Sequence, residues 1–114
     1  MSKRSDRLYC RDILESGAAI RSYVEGIDFN AFVRDRMRYS AVIREFEIIG
    51  EAVGKLASEL KCAYPDVPWQ DIKDFRNLLV HEYFGVDLEI VWNTVQDDLP
   101  LLMEVVQKIE KEIK

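Results

Sequence analysis

Arg76, Asn77, His81 and Tyr83 fall within eight residues in the second half of the chain, in the run Asp74-Phe75-Arg76-Asn77-Leu78-Leu79-Val80-His81-Glu82-Tyr83. Histidine both takes and gives protons near neutrality. Arginine grips a phosphate through a bidentate fork and stabilises negative charge as it develops. Asparagine orients an imidazole or donates to a phosphate oxygen. With RNA the 2′-hydroxyl is an internal nucleophile. A base to deprotonate it and an arginine for the pentacovalent phosphate would cleave the strand without a metal. Two such strips, one from each of two subunits, would supply both base and acid.

That chemistry requires a helix to set the spacing. At about 100° per residue, Tyr83 returns to within about 20° of Arg76, and Asn77 and His81 lie about 40° apart. Arg76 and His81 are about 140° apart, a gap that a long guanidinium stem or a loosening helix end can close. The helix is predicted over Pro68–Tyr83, with Pro68 in its first turn, Trp69, Ile72, Phe75 and Leu79 as its inner face, and Gly85 beyond its end. Leu78-Leu79-Val80 is apolar all round, and such a helix needs cover on every side. In a small bundle that cover points to a second chain. Spacing alone leaves plainer roles open. Arg76 could pair with Asp74, Glu82 or a carboxylate of the preceding helix. His81 could be a satisfied structural residue, and Tyr83 a core ring with its hydroxyl at the rim.

The flanking segments also read as helix. Tyr9, Ile13, Gly17, Ile20 and Val24 step by three and four, with Ser5 as N-cap and Gly26 as stop. Asp28 caps a short helix over Phe29–Asp35. Val42, Phe46, Ile49, Val53, Leu56 and Leu60 form one continuous bundle seam. Within it, Gly50 permits close helix approach, and Glu47 and Glu51, one turn apart, are candidate hydrogen-bond partners for Arg76 or His81. Leu88, Trp92, Val95, Leu99, Leu102, Val106, Ile109 and Ile113 form the last seam. Pro100 interrupts it, so a kink or a restart capped by Asp97 or Asp98 is expected. The class is all-α: an antiparallel four- to five-helix bundle, one domain over residues 1–114.

Composition narrows the function further. The 114 residues are 48% hydrophobic, with three Pro and five Gly, which excludes a disordered chain. One histidine cannot build a multi-histidine metal site, so neither metal nor cofactor is expected. Cys10 and Cys62 read as small buried apolar residues of a reducing compartment. With no signal peptide and no long apolar run, a cytoplasmic protein without a membrane segment is expected. A formal charge of −5 argues against nonspecific coating of nucleic acid. The charge is uneven, however. Arg4, Arg7 and Arg11 share one helical face, and Arg34, Arg36, Arg38 and Arg44 make a second basic stretch. These read either as solvated surface or as an anion track.

The run Arg76 to Tyr83 resembles the RxxxxHxY signature of the HEPN superfamily, in its HepT-like branch. Asp12-Ile13-Leu14-Glu15, Ile48-Ile49-Gly50-Glu51-Ala52, Tyr64-Pro65, Pro68-Trp69, Tyr83-Phe84-Gly85-Val86-Asp87, Val91-Trp92 and Asp97-Asp98-Leu99-Pro100 follow in that family's order, so the resemblance spans residues 8–110. It implies a homodimeric helical bundle and a metal-independent endoribonuclease toxin with its composite site at the dimer interface. It also implies a cognate MntA-type nucleotidyltransferase antitoxin, which silences the toxin by moving AMP to the motif tyrosine. Carried over, Arg76 stabilises the phosphorane, His81 is the acid or base, Asn77 orients, and Tyr83 accepts AMP. A phosphate on Tyr83 would then compete for the Arg76 guanidinium. RNA is the implied substrate, and DNA is not expected. The alternative reading is a non-catalytic helical subunit that binds a nucleotide or a minimal nucleotidyltransferase.

Overall fold

The computed structural model describes residues 5–81 and 85–113, and every regular element among them is helical. In chain order these are α1 (Asp6–Val24), α2 (Phe29–Arg34), α3 (Arg36–Lys55), α4 (Ser58–Cys62), α5 (Trp69–His81), α6 (Leu88–Asn93) and α7 (Leu99–Glu112), with a π-helical turn at Thr94–Asp98 joining the last two. The all-α expectation therefore holds, and the arrangement is compatible with a helical bundle.

Short polar residues start the helices by accepting from N–H groups that have no partner within the helix. Ser5 Oγ accepts from Leu8 N–H at 3.3 Å, and Asp28 Oδ1 accepts from Ala31 N–H at 2.9 Å, both as the sequence predicts. Gly26, at φ +76°, makes the left-handed turn that ends the α1 region. Asp35 closes α2 and opens α3. One carboxylate oxygen takes the Arg38 N–H and the other the Arg38 Nε. Those bonds hold the Asp35 carboxyl below the usual carboxylate range.

The core sits between α1, α3 and α7. Cys10, Ile13 and Ile20 of α1 meet Val42, Phe46, Ile49 and Val53 of α3 and Leu99, Leu102, Val106 and Ile109 of α7, all buried. Polar ties between helix ends show that α1 runs antiparallel to both partners. The Ala57 N–H after α3 donates to Asp6 Oδ1 at 3.0 Å, while Arg38 at the start of α3 donates to the Tyr23 carbonyl near the end of α1. Arg7 and Arg11 reach the far end of α7, at the Ile113 carbonyl (2.8 Å) and the Glu110 carboxylate (3.9 Å).

Three expectations need correction. The seam from Val42 to Leu60 is not one helix: α3 ends at Lys55, Leu56 is extended at ψ 143°, and α4 restarts at Ser58. The periodicity runs on because Leu60 still packs against the core, while Asp6 ties down the Ala57 N–H at the corner. Cys10 is buried as expected, and burial raises its thiol pKa to about 11, but Cys62, on short α4, is exposed. The restart near Pro100 does occur, with Pro100 in the first turn of α7, but Asp98 at the cap position makes no side-chain cap bond. The accommodation is the π turn itself. The Leu99 N–H donates to the Thr94 carbonyl, one residue further back than in an α-helix, so the ladder widens just before the residue that has no N–H to give.

Candidate active site

Helix α5 begins directly after Pro68, and its first residue anchors it: Trp69 Nε1 donates to the carbonyls of Lys61 and Tyr64, both at 3.0 Å. One face then packs on α3. The Phe75 ring meets Phe46 edge-on, with centroids 5.4 Å apart, and Leu79 is the one fully buried residue of the helix. Its neighbours Leu78 and Val80 are exposed, so the chain covers only one side of the apolar run.

Arg76 lies where α5 passes closest to α3. A β-carbon placed on Gly50 would stand 2.2 Å from Arg76 Cβ and 2.5 Å from its Cγ. Gly50 therefore does what its sequence position suggested, and what it admits is the root of the Arg76 side chain. From there the guanidinium enters a cleft of about 820 Å³ between α3 and α5, closed at one side by Val86 and Leu88. Arg76 Nη1 donates to Asn77 Oδ1 at 3.4 Å. Arg76 Nε is buried and has no hydrogen-bond partner among the described residues. A buried N–H left unmatched costs on the order of 1–3 kcal/mol, so this guanidinium favours an acceptor brought to it.

The other sequence-predicted residues divide. Glu47 and Glu51 line the same cleft as Arg76, as their spacing suggested, but their ion pairs lie along α3: Glu47 with Arg44 at 3.3 Å and Glu51 with Lys55 at 3.4 Å. Asn77 is exposed beside Arg76. His81 is the last residue of α5, exposed, and not part of the cleft wall. Tyr83 and Glu82 lie outside the described residues.

Sequence reasoning missed the far wall. Arg36, Tyr39, Ser40, Ile43 and Arg44 line the cleft from α3. The signal was present, since steps of three and four put them on one helical face with Glu47 and Glu51. It is hidden in the sequence because Arg34, Arg36, Arg38 and Arg44 form one basic stretch there. The fold splits them: Arg38 is consumed by Asp35 and the Tyr23 carbonyl, Arg34 ends α2, and Arg36 and Arg44 face the cleft.

Among the described residues no group of three or more His, Cys, Asp or Glu could hold a metal ion, and no helix is long and apolar enough to cross a membrane. Chemically, the site offers guanidinium groups for an anion, an acceptor-seeking Arg76, and an exposed imidazole about a turn and a half further along α5.

A family model described as "Ribonuclease HepT-like" matches residues 13–109. A protein of Methanocaldococcus jannaschii named as a candidate RNase is 39% identical over 114 residues, which is all of this chain and 98% of the relative. A candidate ribonuclease named HepT, from Thermococcus cleftensis, is 38% identical over 109 residues, covering 96% of this chain and 99% of its own. A two-part M. jannaschii protein, named as a gamma-glutamylcyclotransferase and candidate RNase, is 36% identical over 111 residues, which is 50% of its length. No solved structure is a match.

Proposed function

The chain belongs to the HepT-like ribonuclease family, and from that membership we propose that it is a metal-independent endoribonuclease toxin, silenced when a cognate MntA-type nucleotidyltransferase transfers AMP to Tyr83. The observation that carries the reading is Arg76. Its side chain is threaded past Gly50 into a cleft, with a buried Nε that has no partner among the described residues. A carboxylate would satisfy that group, and so would the non-bridging oxygens of a phosphodiester.

In the reaction, a base takes the proton of the RNA 2′-hydroxyl, whose oxygen attacks the adjacent phosphorus. The Arg76 fork stabilises the dianionic phosphorane as the P–O5′ bond breaks, and an acid protonates the departing 5′-oxygen. The products are a 2′,3′-cyclic phosphate and a 5′-hydroxyl end. His81 fills the acid or base role. One chain presents Arg76 to the cleft and His81 beside it, so the reading places the second His81 on a second copy, docked through the exposed Leu78 and Val80 face. Asn77, within reach of the guanidinium, orients Arg76. AMP on Tyr83 would bring a competing phosphate to the same guanidinium and close the site.

The test is induction in a bacterial host, wild type against His81→Ala, with total RNA run on a gel and the intact mass of the purified protein measured first. Wild type free of AMP should arrest growth and leave RNA fragments, His81→Ala should do neither, and EDTA should leave cleavage in vitro intact. Fragments from both proteins would remove His81 from the mechanism. Silence from AMP-free wild type would replace the enzyme by a nucleotidyltransferase-binding subunit.

A further inference from the structure

The far wall of the cleft is built by residues to which the cleavage chemistry gives no task. Arg36 and Arg44 stand eight residues apart on α3, about 12 Å along its axis, with Tyr39 between them and Arg76 across the cleft. Their placement is not explained by helix stability. Arg36 is the first residue of α3, and the first turn carries no acidic residue, so the charge sits at the positive end of the helix dipole, where a cation is disfavoured. There it adds to the positive potential of the cleft mouth. The Arg44 side chain is 71% exposed and holds Glu47 only at 3.3 Å, a surface pair worth little and easily exchanged for another anion. The Tyr39 ring is steadied by the buried Phe32, with centroids 6.3 Å apart and planes at 65°, so a half-buried aromatic group is fixed on the cleft wall.

Cations spaced along a groove with an aromatic ring between them form the pattern that grips single-stranded nucleic acid: charge follows the backbone and the ring stacks on a base. A cleft of about 820 Å³ also falls within the size that encloses a small ligand such as a nucleotide or two. Three guanidinium groups face two carboxylates there, a local excess of one positive charge in a chain whose formal charge is −5.

We propose that the α3 wall of the cleft is the substrate-positioning strip for single-stranded RNA: Arg44 and then Arg36 hold successive backbone phosphates to one side of the one at Arg76, and Tyr39 stacks a base between those two arginines. The assignment rests on the ribonuclease reading, because it takes the phosphate at Arg76 as the scissile one. These are positioning residues. They set where the strand lies and take no part in proton transfer.

The experiment uses fluorescence anisotropy with a 5′-fluorescein-labelled 12-nucleotide RNA of mixed sequence, titrated with the His81→Ala protein so that the probe stays whole, at several salt concentrations. The Arg36→Ala/Arg44→Ala variant of that protein should bind about 10- to 100-fold more weakly, and the slope of log affinity against log salt should flatten by about 1.4, since each lost phosphate contact to a single strand is worth about 0.7. Arg36→Lys/Arg44→Lys should keep the slope. Tyr39→Leu should lose about fivefold or more with the slope unchanged, and Tyr39→Phe should bind normally. Melting curves followed by circular dichroism identify any variant that has lost its fold. With His81 restored, the double alanine variant should raise KM and leave kcat within about twofold. If it binds the probe as tightly as its parent, with the same slope, the strip is overturned while His81-dependent cleavage keeps the ribonuclease reading alive. If the His81→Ala parent does not bind the probe and the AMP-free protein with His81 intact does not cleave RNA, both are overturned. Equal loss of affinity for a 12-base-pair DNA duplex would make the wall a general polyanion surface and end the single-strand assignment.

Discussion

Helices α1 and α5 are both amphipathic, yet the protein treats them differently. Helix α1 buries five residues between α3 and α7 and is tied to other elements at both ends, by its own Asp6 and Arg7 at the start and by Arg38 of α3 near the finish. Helix α5, which carries Arg76 and His81, buries only Leu79, leans on α3 along one side, and leaves Leu78 and Val80 in the open. Burial stabilises at roughly 25 cal/mol per Å² of apolar surface, so the free energy holding the fold is concentrated away from the helix that carries the motif. Polar residues on α5 can therefore change without unfolding the protein, and its uncovered apolar side is suited to finding a second surface.

That contrast breaks most visibly if the two regions are truncated in parallel. Ile13, fully buried in α1, should cost about 2–5 kcal/mol as Ile13→Ala, through lost transfer energy and the cavity left behind. Leu78→Ala, on a side chain 41% exposed, should cost under about 1 kcal/mol in a dilute monomer. Chemical denaturation measures both. If Leu78→Ala proves as costly as Ile13→Ala at high protein concentration and cheap at low concentration, the missing cover on α5 is another copy of this chain.

The joint between the two regions is a sharper target. Gly50→Ala drives a methyl group to within 2.2 Å of Arg76 Cβ, an atom that cannot swing aside without moving α5. Overpacking of this kind costs about 1–3 kcal/mol, and here the displaced residue is the one proposed to bind phosphate. The melting temperature should fall by several degrees, and RNA cleavage should fall further than the stability loss accounts for. Restored cleavage at low temperature, where the variant is fully folded, would show that Gly50 serves only packing and that α5 tolerates the shift.

Much of this was legible in the sequence because it is local. The caps at Ser5 and Asp28, the seams of α1 and α7, and the tight approach at Gly50 each follow from a residue type at a helical step. What was not legible depends on partners far along the chain. Nothing within Val42–Leu60 says that α3 stops at Lys55, because the corner is held by Asp6. Within Arg34–Arg44 only Asp35, one turn before Arg38, hints at which guanidinium the fold consumes; the second claim on Arg38, by a carbonyl of α1, comes from far along the chain. The spacing of Arg76 and His81 was visible as a motif, but that Arg76 lines the cleft and His81 does not was hidden, because helical angle gives direction around an axis and not what stands opposite.

The smallest expected effect probes the seam beneath α5. Phe46, Ile49, Ile72, Phe75, Leu99 and Leu102 enclose a cavity of about 240 Å³ between α3, α5 and α7, and Asp71 and Asp98 stand at its edge. Partial burial pushes the Asp98 carboxyl above the usual carboxylate range, and the charges of Asp97 and Asp71 push the same way. A carboxyl whose folded pKa exceeds its unfolded value binds its proton more tightly when folded. It therefore favours the fold at low pH, and that contribution is lost as pH rises through the raised pKa, leaving a penalty at neutrality. Asp98→Asn removes the penalty. It also forfeits no cap bond, because Asp98 makes none at the start of α7. The variant should melt on the order of 1–2 °C higher than wild type at pH 7, a small gain because water screens the group, and the advantage should vanish near pH 4. A variant that melts lower at neutral pH would mean that the Asp98 charge supports the π turn, and that the looseness of α5 lies in its uncovered outer face alone.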